Sequence, residues 1–188
     1  MCYNDNMRIY VMRHGTTCWN EQGIVQGRSN NRLSKKGVQE VINVAKEHKN
    51  TPIDIVFCSP LMRTRQTAKL MNEWHKVKVV FDERLTEIDK GIFTARKKKD
   101  FLPEEEYQKK ILDPECKMET AEQVMDRTVD FYEDLIANCD KKNVLIVTHA
   151  GIACRLESLI LKKEFVYLDK KDRKNYKNAE IRQFFVEK

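Results

Sequence analysis

The stretch RIYVMRHG, residues 8–15, decides the fold class of this 188-residue chain. It begins as a short apolar and β-branched run, which predicts a strand that ends at His14-Gly15. Three similar runs and one candidate final strand follow it, at residues 53–58, 77–81, 143–148 and 181–186. Segments with helical periodicity separate the first four runs. Strands that alternate with helices predict an α/β domain with a mostly parallel sheet.

The segments between the strands carry helix signals. Ser59-Pro60 predicts the start of one helix, with the serine as its N-cap and the proline at its first position, running to about Trp74. Residues 85–117 are charge-rich and interrupted by prolines, which predicts an irregular excursion over one edge of the sheet. Further helices are predicted at residues 34–47, from residue 120 and after residue 149.

Composition excludes two broad classes of protein. Hydrophobic residues make up 41% of the chain, charged residues 34%, and the mean hydropathy is -0.64. Such a chain is too apolar to remain disordered and too polar to span a membrane. Its longest apolar runs fall far short of the roughly 20 residues that cross a bilayer. Since no charged-then-apolar leader opens the sequence, we expect a cytoplasmic protein without a membrane partner.

The chain carries a modest excess of positive charge. Lysine and arginine total 35 against 29 for aspartate and glutamate, which gives a formal net charge of +6. That excess suits an anionic partner and is too small to indicate nucleic acid. Two basic runs, at residues 96–99 and 170–174, hold much of it and predict solvated faces. A second interpretation of the first run places it over the mouth of a binding site, where it would attract multiply charged substrates.

The six cysteines are scattered, and no two of them form a C-x-x-C pair. A disulfide framework or a zinc knuckle needs closer and patterned spacing. We therefore interpret the cysteines as reduced thiols, most of them with structural roles.

Charged and polar side chains collect where the predicted strands end. In chain order, these side chains are Arg13, His14, Arg63, Glu87 and His149. Because ligands of open α/β sheets bind beyond the carboxyl ends of the strands, we expect one shared site. Such residues are costly to bury together unless they serve an anion. A metal site built from the two histidines and the glutamate is the weaker alternative, since the arginines would repel a dication.

A phosphoryl group satisfies this set of residues together. Arginine forks match phosphate oxygens bidentately. A helix that begins near Ser59 would add backbone N–H groups and the positive end of its dipole. Neighbouring arginines also depress the pKa of a histidine, so that one ring nitrogen stays neutral and nucleophilic at pH 7. The pattern therefore permits covalent transfer of phosphate to histidine, followed by hydrolysis.

Four motifs in order along the chain resemble the signature of the histidine phosphatase superfamily, the phosphoglycerate mutase-like fold. They are RHGTT-x-x-N at residues 13–20 with Gln26-Gly27 and LS-x-x-G-x-Q at residues 33–39, SPL-x-RT-x-QTA at residues 59–68, L-x-E-x-x-x-G at residues 85–91, and VTHAG at residues 147–151. The resemblance covers residues 8–186. It implies a three-layer sandwich, with a mostly parallel central sheet between two layers of helices.

The resemblance implies a role for each matching residue. His14 is similar in position to the family's phosphate-accepting nucleophile. Glu87 resembles the general acid that protonates the leaving oxygen and then activates water. The other matching residues are expected to hold the phosphate: Arg13, Asn20, Gln26, Gly27, Arg63 and His149. Neither a metal ion nor an organic cofactor is implied.

Three positions depart from the family's pattern. Thr16 stands where many members carry glutamate or glutamine, and Ile92 follows Gly91 where tryptophan is common. Cys154 replaces an arginine, with Arg155 one place later. None of these positions belongs to the catalytic set, so the departures bear on substrate shape and on local packing.

The resemblance implies a phosphatase for small anionic phosphomonoesters, because mutases of this fold carry larger insertions over the pocket than residues 91–119 provide. The alternatives are a phosphoglycerate mutase, a phosphoprotein phosphatase and a non-catalytic phosphate-binding module. The module is disfavoured, since His14 and Glu87 are both present. We expect residues 1–188 to form one domain in which residues 85–119 make a small cap. The sequence does not indicate an oligomeric state.

Overall fold

The computed structural model describes residues 6–97, 103–162 and 175–187. Its strands are β1 (Asn6–Arg13), β2 (Ile55–Cys58), β3 (Lys78–Phe81), β4 (Asn143–Thr148) and β5 (Ile181–Glu187). They form one sheet in the order β3-β2-β4-β1-β5. The first four strands run parallel to one another, and β5 pairs antiparallel with β1. The mostly parallel α/β sheet predicted from the sequence is therefore confirmed.

The two central strands are buried on both faces of the sheet. In β1, Ile9 and Val11 enter the core on one face, while Tyr10 and Met12 enter the core on the other. Strand β4 alternates in the same way, with Val144 on the first face. A strand covered on both sides needs apolar side chains at successive positions. This burial explains why both strands stand out in the sequence as continuous apolar runs.

Helices cover both faces of the sheet. In chain order they are α1 (Cys18–Glu21), α2 (Lys35–Glu47), α3 (Met62–His75), α4 (Glu104–Ile111), α5 (Ala121–Asn138) and α6 (Ala150–Ile160). Val41 of α2 and Ala68 of α3 pack into the core on one face. Phe131 of α5 and Leu156 of α6 pack into the core on the other. The three-layer arrangement of the implied fold is therefore present.

The expectation that Ser59 caps α3 is wrong. The N-cap of this helix is Leu61, so Pro60 lies before the helix. The hydroxyl of Ser59 lies 2.8 Å from Nε2 of His149 instead. The Thr64 hydroxyl is 2.8 Å from the carbonyl oxygen of Ser59, which holds the preceding turn in place. The Ser59 hydroxyl contacts His149 and does not cap the helix, and α3 begins at Met62, later than the sequence signal indicates.

The expectation that residues 85–117 are irregular is also wrong in part. The described part of this stretch contains α4 and the short 3₁₀ turns Gly91–Phe93 and Pro114–Cys116. Helix α4 begins with glutamates and ends with lysines, which complements the helix dipole. The basic run at residues 96–99 is described only as far as residue 97, and the run at residues 170–174 lies outside the described residues. Both interpretations of these runs stay predictions.

No helix of the described ranges is long and apolar enough to cross a bilayer. The five cysteines within those ranges are free thiols. Burial raises the pKa of the Cys58 thiol to about 12. A thiol with such a pKa stays protonated at neutral pH, which suits the structural role expected from the sequence.

Candidate active site

The parallel pairing of β1 with β4 brings two histidines together at one edge of the sheet. The register places Arg13 opposite Thr148, so the residues that follow each strand are neighbours. The imidazole rings of His14 and His149 pack edge to face, with their centroids 5.2 Å apart. The exposed fractions of these residues are only 2% and 0%. The shared strand-end site predicted from the sequence therefore contains both histidines.

His14 has its proton and its lone pair on defined ring nitrogens. Its Nδ1 lies 2.7 Å from the carbonyl oxygen of Gly15, which can only accept, so Nδ1 carries the proton. Within the described part of the chain, Nε2 has no hydrogen-bond partner. Burial first, and then Arg63 and Arg13, lowers the pKa of His14 well below its ordinary value. A neutral imidazole with a free lone pair on Nε2 is the state that a nucleophile requires.

The peptide after His14 is held by two helices. The N–H of Gly15 donates to Oγ1 of Thr67 in α3 over 3.1 Å. A Cβ atom at Gly15 would lie 2.6 Å from Cγ2 of Val41 and 2.8 Å from the carbonyl oxygen of Gly37, both in α2. Only glycine permits this close approach, so the G of the RHG motif fixes the backbone of His14 against α2.

Arg63 is a buried cation that ties the second histidine to a neighbouring loop. Its Nη1 donates to the carbonyl oxygen of Ser29 over 2.6 Å, and its Nη2 to that of Gly27 over 2.9 Å. Its Nε lies 3.2 Å from Nδ1 of His149. Burial lowers the pKa of Arg63 to about 10, so the guanidinium stays charged at neutral pH. The structure therefore places Arg63 beside His149, and its contact with phosphate stays a prediction.

The contacts of His149 show which of its nitrogens is protonated. Because a guanidinium N–H can only donate, Nδ1 of His149 accepts from Arg63. The proton is then on Nε2 and points at the Ser59 hydroxyl, 2.8 Å away. Burial, followed by the charge of Arg63, lowers the pKa of His149 well below its ordinary value. Both ring nitrogens are thus engaged by protein groups, and direct contact of His149 with phosphate stays a prediction.

Two other side chains retain donors for an anion. Arg13 donates from Nη1 to the carbonyl oxygen of Tyr176 over 2.7 Å, while its buried Nε has no partner within the described residues. Asn20 accepts at Oδ1 from the Thr17 N–H over 3.1 Å and from Nδ2 of Asn178 over 3.3 Å. Its Nδ2 donors therefore face away from those partners. A buried donor without a partner is rare in proteins, and an anion would satisfy it.

Glu87 reaches the same edge of the sheet from the segment after β3. Burial lowers the pKa of Arg13 and of Arg63, and the negative charge of the Glu87 carboxylate acts in the opposite direction on both. The carboxylate therefore lies close to both guanidinium groups. A Cβ atom at Gly151 would lie 2.7 Å from Oε1 of Glu87. The acid therefore packs against the start of α6, two residues after His149.

Gln26 and Gly27, predicted to bind substrate, support other site residues in the structure. Oε1 of Gln26 lies 3.0 Å from the hydroxyl of Thr17, the residue that caps α1. Gly27 supplies a carbonyl oxygen to Arg63. In these positions both residues shape the pocket wall, and their contact with substrate stays a prediction.

Arg84 also follows β3, yet it does not join the site. Its guanidinium pairs with Asp82 over 2.6 Å, with Asp130 over 2.9 Å and with Asp134 over 2.8 Å. These partners lie on the outer surface of α5 and at the end of β3. Across the described ranges, no group of three or more histidine, cysteine, aspartate or glutamate side chains is placed to hold a metal ion.

A family model for the histidine phosphatase superfamily, branch 1, matches residues 9–183. The chain belongs to this superfamily. A probable phosphoglycerate mutase, GpmB, from Erwinia tasmaniensis is 36% identical over 106 residues, which are 56% of this chain and 49% of that protein. The chain thus spans about half the length of the curated relatives it matches.

Solved structures of phosphatases share the fold of this chain. A mycobacterial glucosyl-3-phosphoglycerate phosphatase, solved with VO3, superimposes with a TM-score of 0.80 at 24% identity over 94% of this chain and 92% of that one. A phosphoserine phosphatase variant from Entamoeba histolytica, in complex with phosphoserine, gives a TM-score of 0.77 at 22% identity over 96% and 94%. At these identities the comparison shows a common fold, and it confirms the fold expected from the resemblance.

The sequence does not mark several residues that contact this candidate site. Ser59 and Thr67 lie within the motif at residues 59–68, but that motif does not indicate that their hydroxyls contact His149 and Gly15. Asn178 donates to the carbonyl oxygen of His14 over 3.2 Å. It comes from the stretch before β5, where no motif or strand end marks a site. Only the return of the chain to β1 brings it there.

The two buried histidines make the stability of this chain dependent on pH. Both have a lowered pKa in the folded chain, so the unfolded chain binds more protons below its ordinary histidine pKa of about 6.5. Their contribution is complete above that pH and is lost as the pH falls. We expect the free energy of unfolding to decrease by up to about 1.4 kcal/mol per pH unit for each histidine. Urea unfolding at about pH 7 and about pH 5.5 measures the change.

The variant His14→Gln separates this contribution from that of other groups. It removes one of the two lowered pKa values, so its unfolding free energy should fall less steeply with acidification than that of the parent chain. Parallel curves for the two proteins would show that His14 is not held neutral by the fold.

Proposed function

We propose that this chain is a metal-independent phosphatase that hydrolyses small anionic phosphomonoesters through a phosphohistidine formed on His14. The observation that carries the proposal is the state of His14. Its ring is buried and neutral, its proton is on Nδ1, and its Nε2 has no partner within the described residues. Arg13 and Arg63 lie beside it and supply the positive charge that a dianionic phosphoryl group needs.

In the first step, the lone pair on Nε2 of His14 attacks phosphorus in line with the leaving oxygen. A P–N bond forms while the P–O bond to the alcohol breaks, and its electron pair goes to the leaving oxygen. Glu87 donates its proton to that oxygen, so a neutral alcohol leaves. The guanidinium groups of Arg13 and Arg63 neutralise negative charge on the three phosphoryl oxygens, and the amide of Asn20 donates a hydrogen bond to one of them.

In the second step, Glu87 is ionised and acts as a base. It takes a proton from a water molecule whose oxygen attacks the phosphohistidine. A P–O bond forms and the P–N bond breaks, and the electron pair returns to Nε2 of His14. Inorganic phosphate leaves and Glu87 is again protonated. Throughout both steps, the bond from Nδ1 to the Gly15 carbonyl oxygen keeps the ring in one orientation.

The names of relatives support phosphoryl chemistry and also raise a mutase as the second candidate. GpmB is named a probable phosphoglycerate mutase, and the structural neighbours include phosphatases for a glucosyl phosphoglycerate and for phosphoserine. A mutase has to exclude water from its phosphohistidine. Between Glu87 and α5, the described residues contain one helix of eight residues, α4. We propose that this small segment is a cap that leaves water access, which favours hydrolysis.

The proposal predicts phosphate release that does not need a divalent ion. Because arginine and histidine supply the positive charge, hydrolysis of nitrophenyl phosphate and of a panel of phosphomonoesters should retain its full rate in excess EDTA. Released inorganic phosphate is the measurement. Loss of activity with chelator and its recovery with Mg²⁺ would contradict the site chemistry proposed here.

Three further outcomes of the same panel separate the alternatives. A mutase would convert one phosphoglycerate isomer into the other and release little phosphate. A non-catalytic module would take up an acid-labile label from a phosphodonor without releasing it. Preference for a phosphoprotein over every small ester would show that the substrate is a protein.

A further inference from the structure

Glu119 is a largely buried acid that takes no part in the proposed chemical steps. Its side chain is 10% exposed and lies just before α5. Nε of Arg127 donates to its Oε1 over 2.6 Å, and Nη2 of Arg127 donates to its Oε2 over 3.0 Å. Burial alone would raise the pKa of Glu119, but the bonds from Arg127 and from the Asp89 N–H hold it below its ordinary value. The pair is therefore ionised and bidentate, which is a rigid arrangement.

This ion pair holds the backbone on both sides of Glu87. Nη1 of Arg127 donates to the carbonyl oxygen of Arg84 over 2.6 Å and to that of Thr86 over 2.8 Å. On the other side, Oε2 of Glu119 accepts from the N–H of Asp89 over 3.1 Å, and its own N–H donates to the Asp89 carbonyl oxygen over 3.1 Å. The segment that carries the proposed acid is thus bound before and after Glu87.

Arg28 connects the same ion pair to the phosphate pocket. Its Nη2 donates to Oε1 of Glu119 over 3.1 Å, and its Nε donates to the carbonyl oxygen of Glu87 over 3.3 Å. The residues on either side of Arg28 in the chain are Gly27 and Ser29, whose carbonyl oxygens hold Arg63. One short loop therefore contacts both the segment of the acid and the cation proposed to bind phosphate.

We propose that Glu119 is a positioning residue which, through Arg28 and Arg127, holds the carboxyl group of Glu87 at a set distance from the Arg63 side of the pocket. The proposal rests on the proposed function, in which Glu87 is the general acid and base. Proton transfer to a leaving oxygen needs contact of about 2.6–3.2 Å between heavy atoms, so a small displacement of the acid weakens it. Binding of the phosphate by Arg13 and Arg63 does not depend on that distance.

The test compares two substrates that differ in their need for an acid. In Glu119→Gln, the charge that holds both arginines is removed while the size of the side chain is kept. We expect kcat for an alkyl ester such as glycerol phosphate to fall about tenfold, with KM unchanged within about twofold, since misplacement by about 1 Å can cost up to about 10²-fold. The burst of phosphorylation by nitrophenyl phosphate should fall less than about threefold, because its phenolate leaves without a proton.

Arg84→Gln is the matched control. Arg84 lies in the same segment and makes three ion pairs, but its side chain points to Asp82 and to the outer surface of α5. The control should leave the ratio of alkyl to aryl activity unchanged, even where it lowers the melting temperature. A general loss of packing in Glu119→Gln would lower both activities together, and that result would overturn the positioning role.

A double variant separates failure of this proposal from failure of the proposed function. When Glu87→Gln has already removed the acid, adding Glu119→Gln should cause no further loss on the alkyl ester, because the two changes act on one group. Independent losses that multiply would overturn the positioning role while leaving Glu87 as the acid. If Glu87→Gln alone spares the alkyl ester, the proposed function itself fails at that step.

Where Glu119→Gln folds poorly, Arg28→Gln takes its place. The Arg28 side chain is 43% exposed, so its replacement puts little packing at risk. It removes the bonds to Glu119 and to the Glu87 carbonyl oxygen. The same selective loss on the alkyl ester is expected, and equal losses on both substrates would count against the proposal.

Discussion

His14→Ala is expected to lower turnover by about four orders of magnitude or more on every phosphomonoester, aryl or alkyl. The substitution removes the only nitrogen proposed to accept the phosphoryl group, so no phosphoenzyme can form. Because the ring is buried against His149, the melting temperature of the variant is measured alongside its activity, and a folded variant without turnover shows that the loss is chemical. Steady-state kcat/KM on both substrate classes, together with acid-labile labelling, measures the loss.

His48→Ala is the matched control for that result. His48 lies at the end of α2, with Nδ1 3.2 Å from the Thr51 hydroxyl. This substitution should leave both turnover and labelling unchanged. If His14→Ala kept activity within about tenfold of the parent protein, a water molecule rather than His14 would have to be the attacking group.

Glu87→Gln is expected to distinguish substrates by their leaving groups. Glutamine keeps the size of the side chain but gives no proton, so alkyl esters should lose about 10²–10⁴-fold in kcat/KM. An aryl ester should still phosphorylate His14 at a rate close to that of the parent protein. Because Glu87 is also proposed to activate water, the phosphoenzyme should then accumulate and give a burst of phenolate.

Full activity of Glu87→Gln on alkyl esters would assign the acid elsewhere. Asp82 is engaged by Arg84 over 2.6 Å, which leaves it poorly placed to donate a proton. Asp89 is two residues away and accepts from the Gly91 N–H over 2.9 Å. Asp89 would be replaced next, by asparagine, followed by Glu104 of the proposed cap.

Local sequence patterns were enough to locate the strands and the residues at their ends. Strands β1 and β4 are buried on both faces, so each appears as a continuous apolar run, and the runs are followed by His14-Gly15 and by His149-Ala150-Gly151. Parallel pairing then brings the ends of such strands together without further information. For this reason His14 and His149 could be assigned to one site before their contact was seen.

Features that depend on long-range contacts could not be predicted in this way. The signal for a cap at Ser59 was local, while the contact that overrides it comes from His149, 90 positions later. Glu119 and Arg28 pair across 91 positions, and both look like ordinary surface charges in a sequence that is 34% charged. Helix α4 could not be predicted for a different reason, because the surrounding residues 85–117 are rich in charge and are interrupted by prolines.

The position of β1 within the sheet has a consequence for when the site can assemble during synthesis. β1 carries the proposed nucleophile and is made first, yet its two neighbours in the sheet, β4 and β5, begin only at Asn143 and Ile181. Pairing over so many residues is slow compared with local pairing such as that of β2 with β3. A nascent chain must therefore keep one of its most apolar strands unpaired until β4 has emerged, which exposes that strand to aggregation and makes it a natural target for chaperones.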